Sequence, residues 1–211
     1  MKVVCVNVGL PRVVDWRGRR VETAIFKQPV AGTVRVEADN LEGDQQADAR
    51  LHGGADKAVY AYPAEHYPYW KEVYPDLSLG WGAFGENLTT EGLAESELNI
   101  GDRLRVGTCE LVVTHPRLPC YKLELRLGQP DAIKRFLASE RSGIYFKVAR
   151  PGEVGADDKI QLLERDPRKL TVRDAARLYT EKTPDLEMLN VASNHPQLPA
   201  SWRERFSKKL G

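Results

Sequence analysis

The sequence has few cysteines, almost no net charge and no apolar stretch long enough to span a membrane. Its three cysteines among 211 residues, Cys5, Cys109 and Cys120, are an odd number and have no CxxC spacing. A disulfide framework and a zinc ribbon are therefore disfavoured. The formal net charge of +1 argues against a dedicated nucleic-acid binder, because such proteins carry a strong basic excess.

The first apolar run covers residues 1–8 and is broken by Gly9, Leu10 and Pro11. It is shorter than the roughly 20 residues of a membrane-spanning helix, and no signal-peptide cleavage pattern accompanies it. We interpret it as a buried first β-strand, and we expect a cytoplasmic protein that does not associate with a membrane.

Short strands separated by glycine, proline and aspartate dominate the first two-thirds of the chain. The clearest predicted strands are residues 3–8, 33–37, 103–106, 109–114, 144–149 and 159–163. Cys5 and Cys109 lie within these strands and are interpreted as core residues. Many short strands with few helices between them favour a barrel-like all-β or α+β core over a doubly wound sheet. We predict the α+β class, with a mostly β, barrel-like core.

Helices are predicted in two places. Residues 63–74 and 130–140 interrupt the strands; in the first, Tyr67, Trp70 and Tyr74 recur at helical spacing, which is more typical of core packing than of a ligand-binding aromatic cluster. After residue 165 the pattern changes to three short helices, the first beginning with the capping-box-like pair Thr171 and Asp174. We therefore predict a core over residues 1–165 and a three-helix appendage over residues 166–211.

The segment at residues 114–122 is the most informative part of the chain. Pro116 and Pro119 favour extended backbone before Cys120, and Arg117 and Lys122 lie close to it on either side. Positive charge beside a thiol favours the thiolate, which is the form that binds metals or attacks electrophiles. The alternative is an inert, buried cysteine next to a solvent-facing charge pair.

Three polar loops supply further candidate ligand-binding residues. His52 and the two glycines after it would let the backbone approach a ligand, and Lys57 could bind a phosphate; the alternative is a glycine turn with a surface lysine. Asn87 either reads a heterocycle or caps its own turn. Arg141 either grips an anion or ends the preceding helix. Together with the thiol and cations of residues 114–122, these loops fit an anionic cofactor with a thiolate-binding centre.

Four motifs in this order resemble those of the MOSC domain family, named after the C-terminal part of molybdenum-cofactor sulfurases. They are Gly43-Asp44, Ala47-Asp48 and His52-Gly53-Gly54 with Asp56-Lys57-Ala58-Val59-Tyr60; Gly85-Glu86-Asn87-Leu88-Thr89 with Gly92; Pro116-Arg117 with Pro119-Cys120 and Lys122-Leu123; and Arg141, Gly143 and Tyr145. The helical C-terminal extension matches the YiiM-like branch of the family. The resemblance covers nearly the whole chain.

This resemblance implies a β-barrel-like core that holds a molybdenum-pyranopterin cofactor, with Cys120 as the protein ligand to molybdenum. A thiolate is a soft ligand, suited to a metal whose other ligands are pterin sulfurs. Arg117 and Lys57 would bind the phosphate or the polar edge of the pterin. Weaker candidates for the same surroundings are His52, Asn87, Lys122 and Arg141.

The resemblance also implies an activity. Relatives in this branch reduce N-hydroxylated compounds such as 6-hydroxylaminopurine with electrons from a separate flavoprotein, and release water and an amine. No flavin or dinucleotide fingerprint occurs in the sequence, which is consistent with an external electron donor. The expected partners are thus a small N-hydroxylated substrate and a flavoprotein, whereas the oligomeric state, with a homodimer as one option, stays open.

Two positions depart from the family pattern. Asp157 stands where a glycine is usual before Asp158, in the turn ahead of the last core strand, and we expect the turn to survive because aspartate tolerates left-handed backbone. His115 stands where we expect a glutamine. It is a candidate proton donor to the leaving oxygen, or else a strand-end residue that only orients the following loop.

Two other functions are open from the sequence. MOSC domains have been linked to sulfur transfer, so the chain could be a non-catalytic carrier that holds the cofactor or a sulfur atom on Cys120. A Cys–His hydrolase that uses Cys120 and His115 is disfavoured, because both residues lie on one short, proline-stiffened segment where they cannot easily hydrogen-bond to each other.

Overall fold

The computed structural model describes residues 1–47 and 54–211. Twelve β-strands and six α-helices form in this part of the chain. The strands are β1 (Lys2–Val8), β2 (Arg12–Trp16), β3 (Arg19–Thr23), β4 (Gln28–Pro29), β5 (Thr33–Val36), β6 (Val59–Pro63), β7 (Leu88–Glu91), β8 (Arg103–Val106), β9 (Cys109–Pro116), β10 (Ile144–Arg150), β11 (Gly152–Gly155) and β12 (Ile160–Glu164). The helices are α1 (Tyr67–Val73), α2 (Tyr121–Leu127), α3 (Ala132–Ser139), α4 (Val172–Thr180), α5 (Leu186–Ser193) and α6 (Ala200–Leu210).

Eight of the strands form one sheet in the order β12-β8-β9-β10-β6-β7-β1-β4. β6 and β7 are parallel, whereas β9 is antiparallel to both of its neighbours. Strand β9 is buried along its whole length, because β8 and β10 flank it and helix α4 packs on it. All six predicted strands are confirmed, with bounds that differ by two residues at most.

The large sheet curls without closing into a barrel within the described residues. Lys2, at the start of β1, pairs with Lys159, just ahead of β12, through one isolated bridge. The backbone N–H of Val3 donates to the carbonyl of Asp158 (2.9 Å) beside that bridge. A single bridge replaces the ladder that closure would need. The predicted α+β class is therefore confirmed, whereas the barrel-like core is corrected to a large, curled sheet that stays open within the described residues.

The helix predicted at residues 63–74 forms as a 3-10 turn at Ala64–His66 followed by α1. Tyr67, Trp70 and Tyr74 are buried in a second hydrophobic cluster that also contains Tyr62 and Phe84. The rings of Tyr62 and Phe84 stack with their centroids 4.6 Å apart. The prediction that these aromatic residues pack a core is confirmed.

The three predicted C-terminal helices form as α4, α5 and α6. Thr171 caps α4 through the expected capping box, its Oγ1 atom accepting from the backbone N–H of Asp174 (3.0 Å). Val172, Trp202 and Phe206 are buried in the same hydrophobic cluster as the sheet residues. The predicted boundary at residue 165 therefore divides the sequence, but the hydrophobic core is continuous across it. None of the helices in the two described ranges is long and apolar enough to cross a bilayer.

The turn ahead of β12 forms as expected despite its aspartate. Asp157 has a φ of +65°, in the left-handed region that its short polar side chain tolerates. Its backbone N–H donates to the carbonyl of Val3 (2.8 Å). The turn thus helps to hold the two ends of the curled sheet together.

Candidate functional site

One pocket collects most of the residues that the sequence singled out. It lies between the loop that follows β9 and the loops that precede β4, β6 and β7. The described residues that line it are Thr23, Ala24, Ile25, Lys27, Asp44, Gln45, Gln46, Ala47, Lys57, Tyr60, Gly85, Asn87, Arg117, Leu118, Cys120, Lys122 and Tyr145. Residues far apart in the chain therefore meet around one space.

Cys120 lies in the pocket wall immediately before helix α2. Its backbone is extended, with φ −126° and ψ 175°, and its carbonyl accepts a hydrogen bond from the N–H of Leu123 (2.8 Å). The first turn of α2 therefore fixes its position. Cys120 is half-buried, so its thiol can face a ligand in the pocket.

The other two cysteines lie in the core, as predicted. Cys109 is fully buried and Cys5 is 8% exposed. Burial raises the pKa of both thiols, that of Cys109 to about 11. Both therefore stay protonated near neutral pH, and neither lines the pocket.

Arg117 forms part of the pocket wall from a buried position. Its Nη1 atom donates to the carbonyl of Phe84, and its guanidinium lies 4.9 Å from the centroid of the Tyr60 ring and 5.8 Å from that of Phe136. Arginine stays charged at any pH that proteins tolerate. The pocket wall therefore carries a permanent positive charge, and the rings of Tyr60 and Phe136 help to fix the position of the guanidinium.

A buried ion pair between Lys27 and Asp44 forms another part of the pocket wall. The Nζ atom of Lys27 lies 2.5 Å from both carboxylate oxygens of Asp44, which also accepts from the backbone N–H of Gly9 (2.8 Å) and from Nδ2 of Asn87 (2.9 Å). Burial lowers the pKa of Lys27, whereas Asp44 acts in the opposite direction. Sequence reasoning missed Lys27, because an isolated lysine before a short edge strand has no local signal.

Two further lysines, Lys57 and Lys122, complete the charge of the pocket. Both are half-buried. Burial lowers the pKa of Lys57, and the neighbouring Asp56 and Cys120 oppose that shift. The described lining thus combines four cationic side chains with one carboxylate, that of Asp44, and the pocket favours an anionic ligand.

Asn87 and Glu86 build the loop before β7. The Oδ1 atom of Asn87 accepts from the backbone N–H of Tyr60 (3.1 Å), so both ends of its amide contact the protein. Glu86 is fully buried and accepts from the N–H groups of Gly82 (2.9 Å) and Phe84 (3.1 Å). These contacts place Asn87 at the pocket as a residue that shapes the wall, and its amide contacts Tyr60 and Asp44, which lie far away in the chain, instead of capping its own turn.

The motif at residues 141–145 contributes through its glycine and tyrosine. Gly143 has a φ of +67°, and a Cβ atom there would lie 2.5 Å from the hydroxyl oxygen of Tyr60. The same hydroxyl donates to the carbonyl of Ser142 (2.9 Å). The ring of Tyr145 packs against that of Tyr60 in a tilted arrangement, with centroids 5.0 Å apart, and both tyrosines line the pocket. Gly143 is therefore required for the close packing of this aromatic wall.

Arg141 does not line the pocket. Its Nη1 atom donates to the carbonyl of Ser139 at the end of α3 (2.9 Å), and its guanidinium lies 4.0 Å from the centroid of the Tyr69 ring. This position matches the reading of Arg141 as a residue that ends a helix. His52, the remaining cofactor candidate, lies outside the described residues.

His115 is buried behind the pocket wall, with 2% of its surface exposed. Its ring stacks on Tyr145 (5.0 Å between centroids) and meets Trp202 edge-on (5.3 Å). Burial, assisted by the charge of Lys57, lowers the pKa of His115 to about 3. The ring is therefore neutral near pH 7, and its placement supports the reading of a strand-end residue that orients the loop after β9.

Fold and pocket define the class of protein: a mixed α+β domain with a thiol-and-cation pocket, followed by a three-helix extension. The family model described as MOSC domain matches residues 48–161, and the one described as YiiM-like, 3-alpha helix domain matches residues 170–210. The chain belongs to the MOSC domain family, in its YiiM-like branch.

Individual relatives agree with this assignment. The chain is 37% identical to the protein YflK of Bacillus subtilis, over 98% of this chain and 93% of the relative. The crystal structure of YiiM from Geobacillus stearothermophilus superposes with a TM-score of 0.83 at 35% identity, covering 100% of this chain and 99% of that chain. A protein of Gibberella moniliformis named a reductase is 35% identical over 85% of this chain, which spans only 32% of that protein.

Proposed function

We propose that this protein is a molybdenum cofactor-dependent oxidoreductase that reduces N-hydroxylated compounds, such as 6-hydroxylaminopurine, with electrons from a separate flavoprotein. The observation that carries the proposal is the composition of the pocket, which collects Cys120 and the four cationic residues Lys27, Lys57, Arg117 and Lys122. The similarity to a fungal protein named a reductase supports a redox function.

The chemistry of these side chains fits the cofactor. A pyranopterin bears a phosphate, and lysine and arginine side chains bind phosphate through charge-assisted hydrogen bonds. The thiolate form of Cys120 is a soft donor that suits a metal already bound by pterin sulfurs. When bound, the molybdenum centre supplies the two-electron redox chemistry that no side chain of the pocket can supply.

The remaining wall residues position these groups. Asp44 holds the ammonium of Lys27 in place, so that this charge enters the pocket in one orientation. Arg117 is held by Phe84 and by the ring of Tyr60. Preorganised charges of this kind bind an anion without first having to order themselves.

The overall reaction balances with two electrons and two protons. The N–O bond of R–NHOH breaks, the nitrogen leaves as R–NH2, and the oxygen leaves as water. His115 is not assigned a part in proton transfer, because its neutral ring is enclosed by Tyr145 and Trp202.

The test compares the wild type with Cys120→Ala and, as a matched control, Cys5→Ala, all purified from a host that makes the cofactor. We expect near-stoichiometric molybdenum and pterin in the wild type and the control, and neither in Cys120→Ala. With dithionite-reduced methyl viologen as electron source, only the loaded proteins should convert 6-hydroxylaminopurine to adenine. Full molybdenum content in Cys120→Ala would contradict the ligand role.

The same samples separate the reductase from the sulfur carrier. Loaded protein that shows no turnover, together with a persulfide on Cys120 detected by intact-protein mass spectrometry, would replace the proposal with the carrier function. Turnover with full metal content and no persulfide would exclude that alternative.

A further inference from the structure

A β-hairpin stands beside the pocket and pairs with no other strand of the described chain. β2 and β3 form a two-stranded sheet of their own. At its tip, Arg17 and Gly18 both have positive φ, 51° and 75°, the geometry of a tight two-residue turn. Two strands alone are only marginally stable in water, so contacts with the rest of the molecule must hold it. We call this element, residues 12–23, the arginine hairpin.

The base of the arginine hairpin lies at the pocket, and its tip contacts helix α2. Its last residue, Thr23, lines the pocket. At the other end, the Nη2 atom of Arg17 lies 3.4 Å from Oε2 of Glu124, which belongs to helix α2. Because α2 begins directly after Cys120, the hairpin and the proposed ligand to molybdenum share one edge of the molecule.

The arginine hairpin concentrates positive charge at this edge. It carries four arginines and two acidic residues, a net charge of +2 that exceeds the +1 of the whole chain. These residues, all of them exposed, are Arg12, Arg17, Arg19, Arg20, Asp15 and Glu22. Val13 adds an apolar side chain that is 51% exposed. A small cationic surface with an apolar element is suited to a short-lived electrostatic complex.

We propose that the arginine hairpin is the surface on which the acidic face of the flavoprotein electron donor docks. This inference rests on the proposed function, which requires two electrons per turnover from outside the chain. A donor seated on the hairpin places its flavin beside the edge that carries Cys120. Opposite charges steer such encounters and raise their rate.

The electron transfer balances without another reactant. The reduced flavin of the donor is oxidised by two electrons, which pass to the loaded site and reduce the N–O group. The flavin protons return to solvent, from which the two protons of the amine and water are drawn.

The test uses the full-length, cofactor-loaded protein and two electron sources. An acidic flavodoxin in its hydroquinone form serves as the protein donor, and reduced methyl viologen serves as a small donor that needs no docking surface. The variant Arg19→Glu/Arg20→Glu is compared with Lys182→Glu/Lys208→Glu, which makes the same charge change at two exposed lysines of the C-terminal region. Rates of 6-hydroxylaminopurine reduction are measured at low and high salt.

With methyl viologen, we expect the same rate for the wild type and both variants. With flavodoxin, the second-order rate of Arg19→Glu/Arg20→Glu should fall about tenfold or more at low salt. For the wild type and the lysine variant, the flavodoxin rate should fall steeply as salt is added. In the arginine variant this salt dependence should be nearly absent, because the attractive charges are gone.

Three results would overturn the docking surface. If the arginine variant turns over normally with methyl viologen and its rate with flavodoxin is also unchanged, the docking surface is contradicted and the proposed function stands. Absence of viologen turnover in loaded wild type would remove both. In the third result, the wild type sediments with phosphatidylserine vesicles while the arginine variant does not, and the flavodoxin rate is the same for both. That pair of observations would reassign the surface to an anionic membrane.

Discussion

The Nζ atom of Lys27 lies 2.5 Å from each carboxylate oxygen of Asp44, and both residues are buried in the pocket wall. Asp44 also accepts hydrogen bonds from Gly9 and Asn87. This carboxylate therefore joins the end of β1 to the loops before β4 and β7. Removing either charge would leave its partner buried and uncompensated.

Lys27→Met should lower the free energy of unfolding by about 3–5 kcal/mol, the usual cost of breaking a buried ion pair from one side. The matched control is Lys2→Met, whose ion pair with Glu91 (3.5 Å) is solvent-exposed. We expect the control to lose less than about 1 kcal/mol. Urea denaturation measures both, and similar small losses in the two variants would contradict the structural role of Lys27.

Gly143→Ala should destabilise the protein more than Gly128→Ala. Both glycines have a φ of +67°, but an added Cβ meets Tyr60 and Ala61 at residue 143 and nothing within 4 Å at residue 128. The cost of placing a Cβ atom on left-handed backbone, about 1–2 kcal/mol, is therefore the same at both positions. The difference in melting temperature between the two variants reports the steric clash at residue 143 alone. Equal melting temperatures would show that Tyr60 moves aside freely.

Trp202→Ala should cost about 3–5 kcal/mol, as expected for a large side chain removed from a core. Trp202 is 6% exposed and belongs to the hydrophobic cluster of the sheet. The control is Leu186→Ala, because Leu186 is 65% exposed on the same C-terminal region. Deletion of residues 166–211 should likewise yield an unfolded chain by circular dichroism. A folded, cooperative product would establish that residues 1–165 carry an independent core.

Native protein should react with a thiol-specific disulfide reagent at Cys120 well before the other two cysteines. Cys120 is half-buried, whereas Cys5 and Cys109 are buried, and burial raises the pKa of both. Stopped-flow absorbance should show one fast phase that Cys120→Ala removes, and three reactive thiols after denaturation. A fast phase that persists in Cys120→Ala would contradict this order of accessibility.

Stability should fall as the pH is lowered from about 6.5 towards 3, in part because of His115. Its pKa is near 6.5 in the unfolded chain and about 3 in the folded protein. Between these values the unfolded state binds a proton that the folded state does not, so one such group contributes a slope of up to about 1.4 kcal/mol per pH unit.

His115→Gln tests this pH dependence, since glutamine cannot take up the proton. The variant should show a flatter profile of melting temperature against pH over this window. Some slope should remain, because burial also lowers the pKa of His195. An unchanged slope in His115→Gln would show that His115 does not contribute.

Much of the fold could be predicted from local pattern. Alternating apolar residues located five of the eight strands of the main sheet, namely β1, β8, β9, β10 and β12, and the pair Thr171 and Asp174 located the start of α4. The other three strands of that sheet, β4, β6 and β7, and helix α2 were not predicted; none of them is longer than seven residues. The polar loop predicted around Asn87 runs directly into β7, whose polar Thr89 and Thr90 are buried by neighbouring strands. Because these buried residues are polar, the strand has no apolar signature in the sequence.

The candidate site was predicted only in part. Lys57, Asn87, Arg117, Cys120 and Lys122 meet in one pocket, whereas Arg141 and His115 point to other surroundings. Local sequence could not separate these cases, because a cation or imidazole near a glycine turn looks the same whether its side chain faces a pocket, an aromatic ring or the core.

By itself, the sequence determined five of the six helices, five strands of the large sheet, the family and the choice of Cys120 as a candidate site residue, since each depends on residues close together in the chain. Tertiary structure decided that the sheet stays open, that the C-terminal helices share its core, and that Lys27 joins Asp44 and Asn87 in the pocket wall. These outcomes depend on burial and on distances between segments far apart in the chain. Such distances are set by packing of the whole molecule, which no local pattern specifies.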